Sequence, residues 1–299
     1  SWTNHGTVAL VQESASFNRI EINDAGGIGT LTNIGNFQSA QLLADTQANL
    51  FRGILLNEGT LDVQYSLDLN ENTGAVLHES TGTIDIASLQ TLSLGANNSL
   101  INHEFSVIEG AGTLDASAAG VVFTNEGIIL PGGAGLTDTL TIAANIFTEF
   151  TASSSVEIEI NGTAPFTFDV LNFTGNAPKL GGRLKLIDGF AFTAGNSFIV
   201  LTAAAALASS FDVVEGTDLF ISDGVVLDVT QNATDITLTA LNVDGLGQTA
   251  ADDSISGTVG ADVIHADDGD DVIDITGGST GDIVFGGPGD DVIKADIGF

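Results

Sequence analysis

From Trp2 onward the chain alternates polar and apolar residues over short runs, as in Leu61, Val63, Tyr65, Leu67 and Leu69, or Ile84 and Ile86. Period two, broken by turn residues every 8 to 12 positions or so, predicts half-buried strands and not helices. A tetrad Gly-Thr-apolar-Asp, or a close variant, recurs as GTLT (29–32), GTLD (59–62), GTID (82–85) and GTLD (112–115), at intervals of 30, 23 and 30. Asparagine marks several corners, in Asn4-His-Gly6, Asn33-Ile-Gly35, Asn57-Glu-Gly59 and Asn125-Glu-Gly127. A repeat of this length, made of short strands, matches one coil of a parallel β-helix with three strands per turn. A single coil cannot bury its apolar side, so neighbouring coils must stack on it. Asn33, Asn57 and Asn125 are then expected to form a hydrogen-bonded ladder along one corner.

From Gly127 to Val214 the wording changes to GIILPGGAG, LTI, VEIEING, FDVLNFTG, LGGRLKLIDGF and GNSFIVLTA. This succession resembles the end of the β-helical region in bacterial surface adhesins and autotransporter passenger domains, which implies a continued solenoid with longer strands and a looser repeat. AAAALASS (203–210) is too short to hold a helix alone and reads as a loop or local cap. Alternation returns from Leu219 to Leu241, and residues 242–253 form a joint into a different pattern.

Residues 257–294 read GTVGADVIH, ADDGDDVID, IT, GGSTGDIVF and GGPGDDVIK. These are four copies of Gly-Gly-x-Gly-x-Asp-x-apolar-x, the last one perfect. Their aspartates, Asp262, Asp271, Asp282 and Asp291, are spaced by 9, 11 and 9, the 11 reflecting the inserted Ile275 and Thr276. Each is followed two residues later by Ile264, Ile273, Val284 or Ile293, so each repeat predicts a glycine-rich turn and then a three-residue strand. A fainter copy at 248–256 carries Asp253 and Ile255, and another begins at Ala295 and stops at Phe299.

Two nonapeptides make one coil, so aspartates two repeats apart stack at the interstrand spacing of about 4.8 Å. At an effective dielectric of about 20, two bare carboxylates that close repel by roughly 3 kcal/mol. Such a stack calls for a cation. Calcium suits it, being a hard ion that takes six to eight oxygens, and glycine turns bring backbone carbonyls close enough to supply those the carboxylates do not. The expected metal residues are Asp253, Asp262, Asp271, Asp282 and Asp291, with the turn glycines Gly257, Gly260, Gly269, Gly277, Gly286 and Gly289. The pattern resembles the RTX, or hemolysin-type, calcium-binding nonapeptide repeat. That resemblance implies a calcium-loaded parallel β-roll in a secreted bacterial protein, exported unfolded by type I secretion and folded outside.

Charge sharpens the picture. The 299 residues carry 39 acidic and 6 basic side chains, a net −33, which argues against nucleic acid or an anionic membrane as partner and makes cations the expected ones. Hydrophobic residues make up 43%, too many for a disordered acidic tail. No apolar run approaches the ~20 residues of a membrane span. With no cysteine, disulfides and thiolate metal sites are excluded. Neither a signal-peptide pattern nor an initiator methionine is present at Ser1, so a processed form or a segment of a longer chain is expected.

Catalytic vocabulary is sparse. Parallel β-helices also host polysaccharide lyases and epimerases, some joined to calcium repeats, which makes such an enzyme the alternative. Here there is one tyrosine, Tyr65, and the basic residues Arg19, Arg52, Lys179, Arg183, Lys185 and Lys294 are scattered. His5, His78, His103 and His265 lack metal-ligand spacing, and His78 and His103 are expected at surface ladder positions. Glu157 and Glu159 share a face, where solvated carboxylates are preferred over a glycosidase pair. Phe147, Phe150, Phe166, Phe168, Phe173, Phe190, Phe192 and Phe198 are expected to stack inside the coils.

The chain is therefore expected to be all-β: an elongated right-handed parallel β-solenoid over residues 1–241, continuing into a calcium-binding β-roll over 242–299. The expected role is non-enzymatic, a secreted structural or adhesive protein of a bacterial surface, biofilm matrix or filament. Its partners would be Ca2+, further copies stacked end to end, and extracellular glycans in the case of an adhesin.

Overall fold

The computed structural model describes residues 1–12, 19–24, 27–41, 48–70, 75–217, 224–245, 248–277 and 281–295. The half repeat ending at Phe299 and the start of the Leu219–Leu241 alternation lie outside them. Among the described residues there are strands and turns and no helix, and AAAALASS is a loop following the strand Ser197–Ala203. The chain falls into two compact units, one of 1–190, 198–216 and 230–237, the other of 191–197, 217–229 and 238–299.

Up to Phe150 the first unit is built of coils with three strands each, and beyond it the unit's described strands belong to its second and third sheets alone. In one coil Ile54–Asn57, Thr60–Val63 and Leu67–Leu69 follow one another, and Leu77–Ser80, Thr83–Ile86 and Thr91–Leu94 stack on them in parallel register. Repetition gives a seven-stranded sheet from Trp2–Asn4 to Thr148–Phe150, a nine-stranded sheet from Thr7–Gln12 to Val213–Glu215, and a third sheet of the same kind. Within each strand alternate residues are buried, as in Thr60–Val63, because period two sends every second side chain into the coil. Rows such as Leu61, Ile84, Ile108 and Ile129 stack coil on coil and are fully or almost fully buried. Later strands lengthen, to six residues at Thr139–Ala144, Ser155–Ile160 and Val170–Gly175.

The corner after the first strand of each coil is held by amides. Asn4 Nδ2 donates to Asn33 Oδ1 at 2.7 Å, Asn33 Nδ2 to Asn57 Oδ1 at 2.8 Å, and Asn102 Nδ2 to Asn125 Oδ1 at 2.8 Å. Ser80 takes the place between Asn57 and Asn102, its hydroxyl accepting from Asn57 at 3.2 Å. The expected ladder is present and includes two further members, Asn4 and Asn102. It stops where Phe150 pairs with Asn125. From there phenylalanines stack instead, Phe123 on Phe150 and Phe150 on Phe173, edge to face with centroids 6.4 and 5.6 Å apart. Phe147 and Phe166 depart from the expected interior stack: they sit on connections between strands and are 50% and 73% exposed.

The second unit contains five three-residue strands in two small parallel sheets. Ser254–Ser256, Val272–Asp274 and Val292–Lys294 form one; Val263–His265 and Ile283–Phe285 form the other. Ile255, Ile264, Ala266 and Ile273 make the core between them, with Ile275 and Val284 packed against it.

Candidate metal centre

Each repeat aspartate lies one residue before its short strand, so the two-sheet topology sorts the five onto two edges. Asp253, Asp271 and Asp291 stack on one edge, Asp262 and Asp282 on the other. The backbone amides of three of the five donate to Oδ1 of the aspartate one coil later: Asp253 to Asp271 at 2.7 Å, Asp262 to Asp282 at 3.0 Å, Asp271 to Asp291 at 3.0 Å. An amide donor favours the ionised carboxylate, so part of the repulsion expected of bare stacked charges is offset by the backbone itself.

A second row runs beside the first. Asp270 donates its amide to Asp252 Oδ1 at 3.1 Å, and Asp290 to Asp270 Oδ1 at 2.9 Å. The doublets Asp252-Asp253, Asp270-Asp271 and Asp290-Asp291 therefore put two carboxylates on every turn of one edge, where the other edge has Ala261 and Gly281 beside its single aspartate. The doublets stand in the sequence, but their pairing two repeats apart is what gives them meaning.

The glycines divide by task. A methyl group on Gly286 would lie 2.2 Å from Asp291 Oδ2, and one on Gly257 would lie 2.9 Å from Asp262 Oδ2, so these residues bring backbone against their own repeat's carboxylate. Gly289, with φ +149°, packs turn on turn, its absent Cβ falling 1.9 Å from Gly269 O, and Gly269 packs likewise on Ala251. A Cβ on Gly260 would meet Thr258 Oγ1 at an ordinary 3.6 Å, and one on Gly277 would meet nothing within 4 Å.

The carboxylates are not equally occupied. Thr249 donates its amide to Asp253 Oδ2 at 2.6 Å, and its hydroxyl lies 3.0 and 3.2 Å from the two oxygens. Thr258 donates its amide to Asp262 Oδ2 at 2.6 Å and its hydroxyl to Oδ1 at 2.7 Å. Asp271 is fully buried, and its Oδ2 has no hydrogen-bond partner. A buried, unsatisfied anionic oxygen is costly unless a cation meets it, so this turn fits a hard metal ion. Among the described residues no three His, Asp or Glu side chains gather closely enough to hold a metal by themselves. Backbone carbonyls and water would then complete a shell, as calcium allows.

The other sequence candidates are dispersed. His78 is buried, opposite Leu100 and not beside His103, which corrects its expected surface position. Its Nδ1 accepts the Leu55 amide at 3.2 Å, and burial pushes the imidazole down to about 4. His103 is half exposed between Glu79 and Glu126, 3.0 and 3.1 Å from its two ring nitrogens. Glu157 pairs with Lys185 at 3.1 Å, whereas Glu159 is buried, not solvated, and accepts the Gly135 amide at 2.8 Å. Sequence reasoning missed Asp169. It is fully buried and accepts amides from Asp138 and Glu159, yet burial, with Glu159 and Asp138 adding to it, pushes it up to about 8.

Compared with protein-family models, residues 249–274 and 275–298 match the RTX calcium-binding nonapeptide repeat, in four copies. Neither the curated proteins nor the solved structures compared with the chain give a match. These repeats bind calcium ions, and proteins that carry them are typically secreted. No helix among the described residues is long and apolar enough to cross a membrane.

Proposed function

We propose that this chain is a calcium-stabilised structural or adhesive protein of a bacterial surface, biofilm matrix or filament. The observation that carries the reading is how its polar groups are spent. Asparagines, glycine corners and repeat aspartates all bond from one coil to the next, which serves stacking and not turnover. Each of the six basic side chains lies against a carboxylate: Arg19 and Arg52 on Glu21, Lys179 on Glu149, Arg183 on Glu215, Lys185 on Glu157, Lys294 near Asp274. With all six set against carboxylates, Arg19 and Arg52 sharing one, an acidic polysaccharide has little to bind, which supports a non-enzymatic role over a lyase or epimerase.

Metal that binds only the folded state stabilises it by mass action, so calcium would act as a folding ligand outside the cell. Self-association and glycan adhesion then become separate outcomes of one experiment. Particle imaging and size exclusion with calcium and with chelator should show calcium-dependent assemblies for a matrix or filament protein. A glycan array should show saturable binding for an adhesin. Neither behaviour, together with turnover of a polysaccharide, would overturn the proposal.

One observation favours the enzyme alternative. A groove of about 510 Å³ in the first unit is lined by Asp85, Asp138, Gln64, Ser88, Thr137 and Asn161. Asp169, whose carboxyl burial pushes up to about 8, accepts the amide of Asp138. Asp169 is fully buried and does not line the groove itself, so the carboxylates that could meet a substrate there are Asp85 and Asp138, with Asp169 behind Asp138. Asp138→Asn and Asp169→Asn assayed on neutral and acidic polysaccharides decide it: activity lost in both variants would establish an enzyme, and none in the parent protein would remove it.

A further inference from the structure

The nonapeptide turns differ at the residue four positions before their aspartate, and that difference controls who occupies the carboxylate. At Asp253 and Asp262 the residue is threonine, where the consensus has its second glycine. Its amide and hydroxyl both reach the carboxylate, at 2.6 to 3.2 Å. At Asp271 the residue is Asp267, in the left-handed region with φ +67°. There the amide points away, donating to His265 Nδ1 at 3.2 Å.

His265 is fixed in place. It is 6% exposed, and its ring lies 6.1 Å from Phe285, inclined by 33°. Nδ1 also lies 3.1 Å from Asp267 Oδ1, but one ring nitrogen cannot donate there and accept the amide at once; the tautomer with its proton on Nε2 is the one that accepts the Asp267 amide. The consequence is the oxygen already noted: Asp271 Oδ2, wholly buried and without a donor. The same side-chain position that is satisfied by hydrogen bonds in two turns is left bare in the third.

We infer that the calcium repeats are graded: Thr249 and Thr258 close the turns of Asp253 and Asp262 in place of an ion, while His265 holds the Asp267 amide aside and so reserves Asp271 for calcium. His265 is thus a positioning residue, acting through Asp267. A cation at Asp271 does more than fill one turn, because Oδ1 of the same carboxylate accepts the Asp253 amide and its own amide donates to Asp291, so one bound ion braces three coils. The inference rests on the calcium reading of the repeats.

The test is isothermal titration calorimetry of the full chain with calcium chloride, backed by circular dichroism of each variant. His265→Leu should weaken the tightest calcium event at least tenfold, because the Asp267 amide then turns to Asp271 as the threonine amides do. His265→Asn, whose Oδ1 stands where Nδ1 stood, should recover most of that loss, which a merely structural role of the ring against Phe285 would not allow. Thr258→Gly, restoring the consensus glycine and freeing Asp262, should raise the number of ions bound by one. Unchanged affinity in His265→Leu, equal loss in His265→Leu and His265→Asn, or unchanged stoichiometry in Thr258→Gly would overturn the grading. A parent protein that gives no calcium heat would instead sink the calcium reading beneath it.

Discussion

Asp253 donates its backbone amide to Oδ1 of Asp271, 18 residues further on, at 2.7 Å. Through this contact a side chain that belongs to one turn fixes the backbone of the turn before it. An unbalanced charge on Asp271 therefore weakens two coils at once, and an ion that balances it stabilises both.

Chelation should accordingly lower the melting transition of the repeat unit. Once sites are filled, each tenfold rise in free calcium adds about 1.4 kcal/mol per ion bound to the folded state alone. Circular dichroism melts across calcium concentrations at constant ionic strength measure this. Magnesium should substitute poorly, since it demands near-ideal octahedral geometry and dehydrates reluctantly. A midpoint indifferent to both ions would exclude a folding role for metal.

The Asn-x-Gly corners, and the Ser80-Thr81-Gly82 corner equivalent to them, predict a position-dependent cost of a single methyl group. A Cβ on Gly35, Gly59 or Gly82 would lie 2.0 to 2.1 Å from the carbonyl oxygen of Gly6, Gly35 or Gly59 respectively, in the coil before. Backbone cannot yield as a side-chain tip can, so Gly59→Ala should cost about 3 kcal/mol. Gly6 has nothing within 4 Å, and Gly6→Ala should stay within about 0.5 kcal/mol. Equal urea midpoints for the two variants would refute this account of the corner.

Ladder asparagines should matter in proportion to the bonds they carry. Asn33 is fully buried, accepts from Asn4, and donates to Asn57 Oδ1 and to Thr60 O. Asn33→Ala leaves buried groups unpaired on both sides and should cost about 3 kcal/mol in a urea titration. Asn33→Ser should cost clearly less, because Ser80 already occupies the same rung in the native ladder.

What could be read in advance followed from rules that act locally. Three-residue strands after each repeat aspartate, and Asn-x-Gly corners, are set by side-chain alternation and turn chemistry within a few residues. The Gly-Thr-apolar tetrads misled in one respect. GTLT of 29–32 enters the first sheet, GTLD of 59–62 and GTID of 82–85 the second, and GTLD of 112–115 the third, so they mark strand starts and not one corner. Asn102 escaped notice because His103 and Glu104 follow it, although it lies one coil, 23 residues, before Asn125. His78 and Glu159 were placed outside because they are polar. Which face a strand residue takes depends on register with the neighbouring coil, and that register buried both. The inequality among the repeat carboxylates was also hidden, since it depends on where single amides point.

The two stacked-sheet histidines should respond to pH in opposite senses. His78 is buried with Nε2 unpartnered, and burial lowers it from 6.5 to about 4. Between those values the unfolded chain takes up a proton that the folded one refuses, so stability falls as pH drops through the window, by about 3 kcal/mol for this group. His103 is raised, first by its bond to Glu79 and then by Glu126, and only the imidazolium can donate from both ring nitrogens. Its contribution is fully present below 6.5 and lost as pH rises through the elevated folded value. The part-buried Asp68, Asp85 and Glu109 and the buried Asp169 are also raised and add their own slope, so the measurement is a difference between parent and variant. Relative to the parent, His78→Leu should gain stability steadily from pH 6.5 down to 4. His103→Gln should lose stability against the parent at acidic pH and converge with it at alkaline pH. Parallel pH profiles for parent and His78→Leu would mean that the buried imidazole is charged in the folded protein, and the neutral core histidine would have to be abandoned.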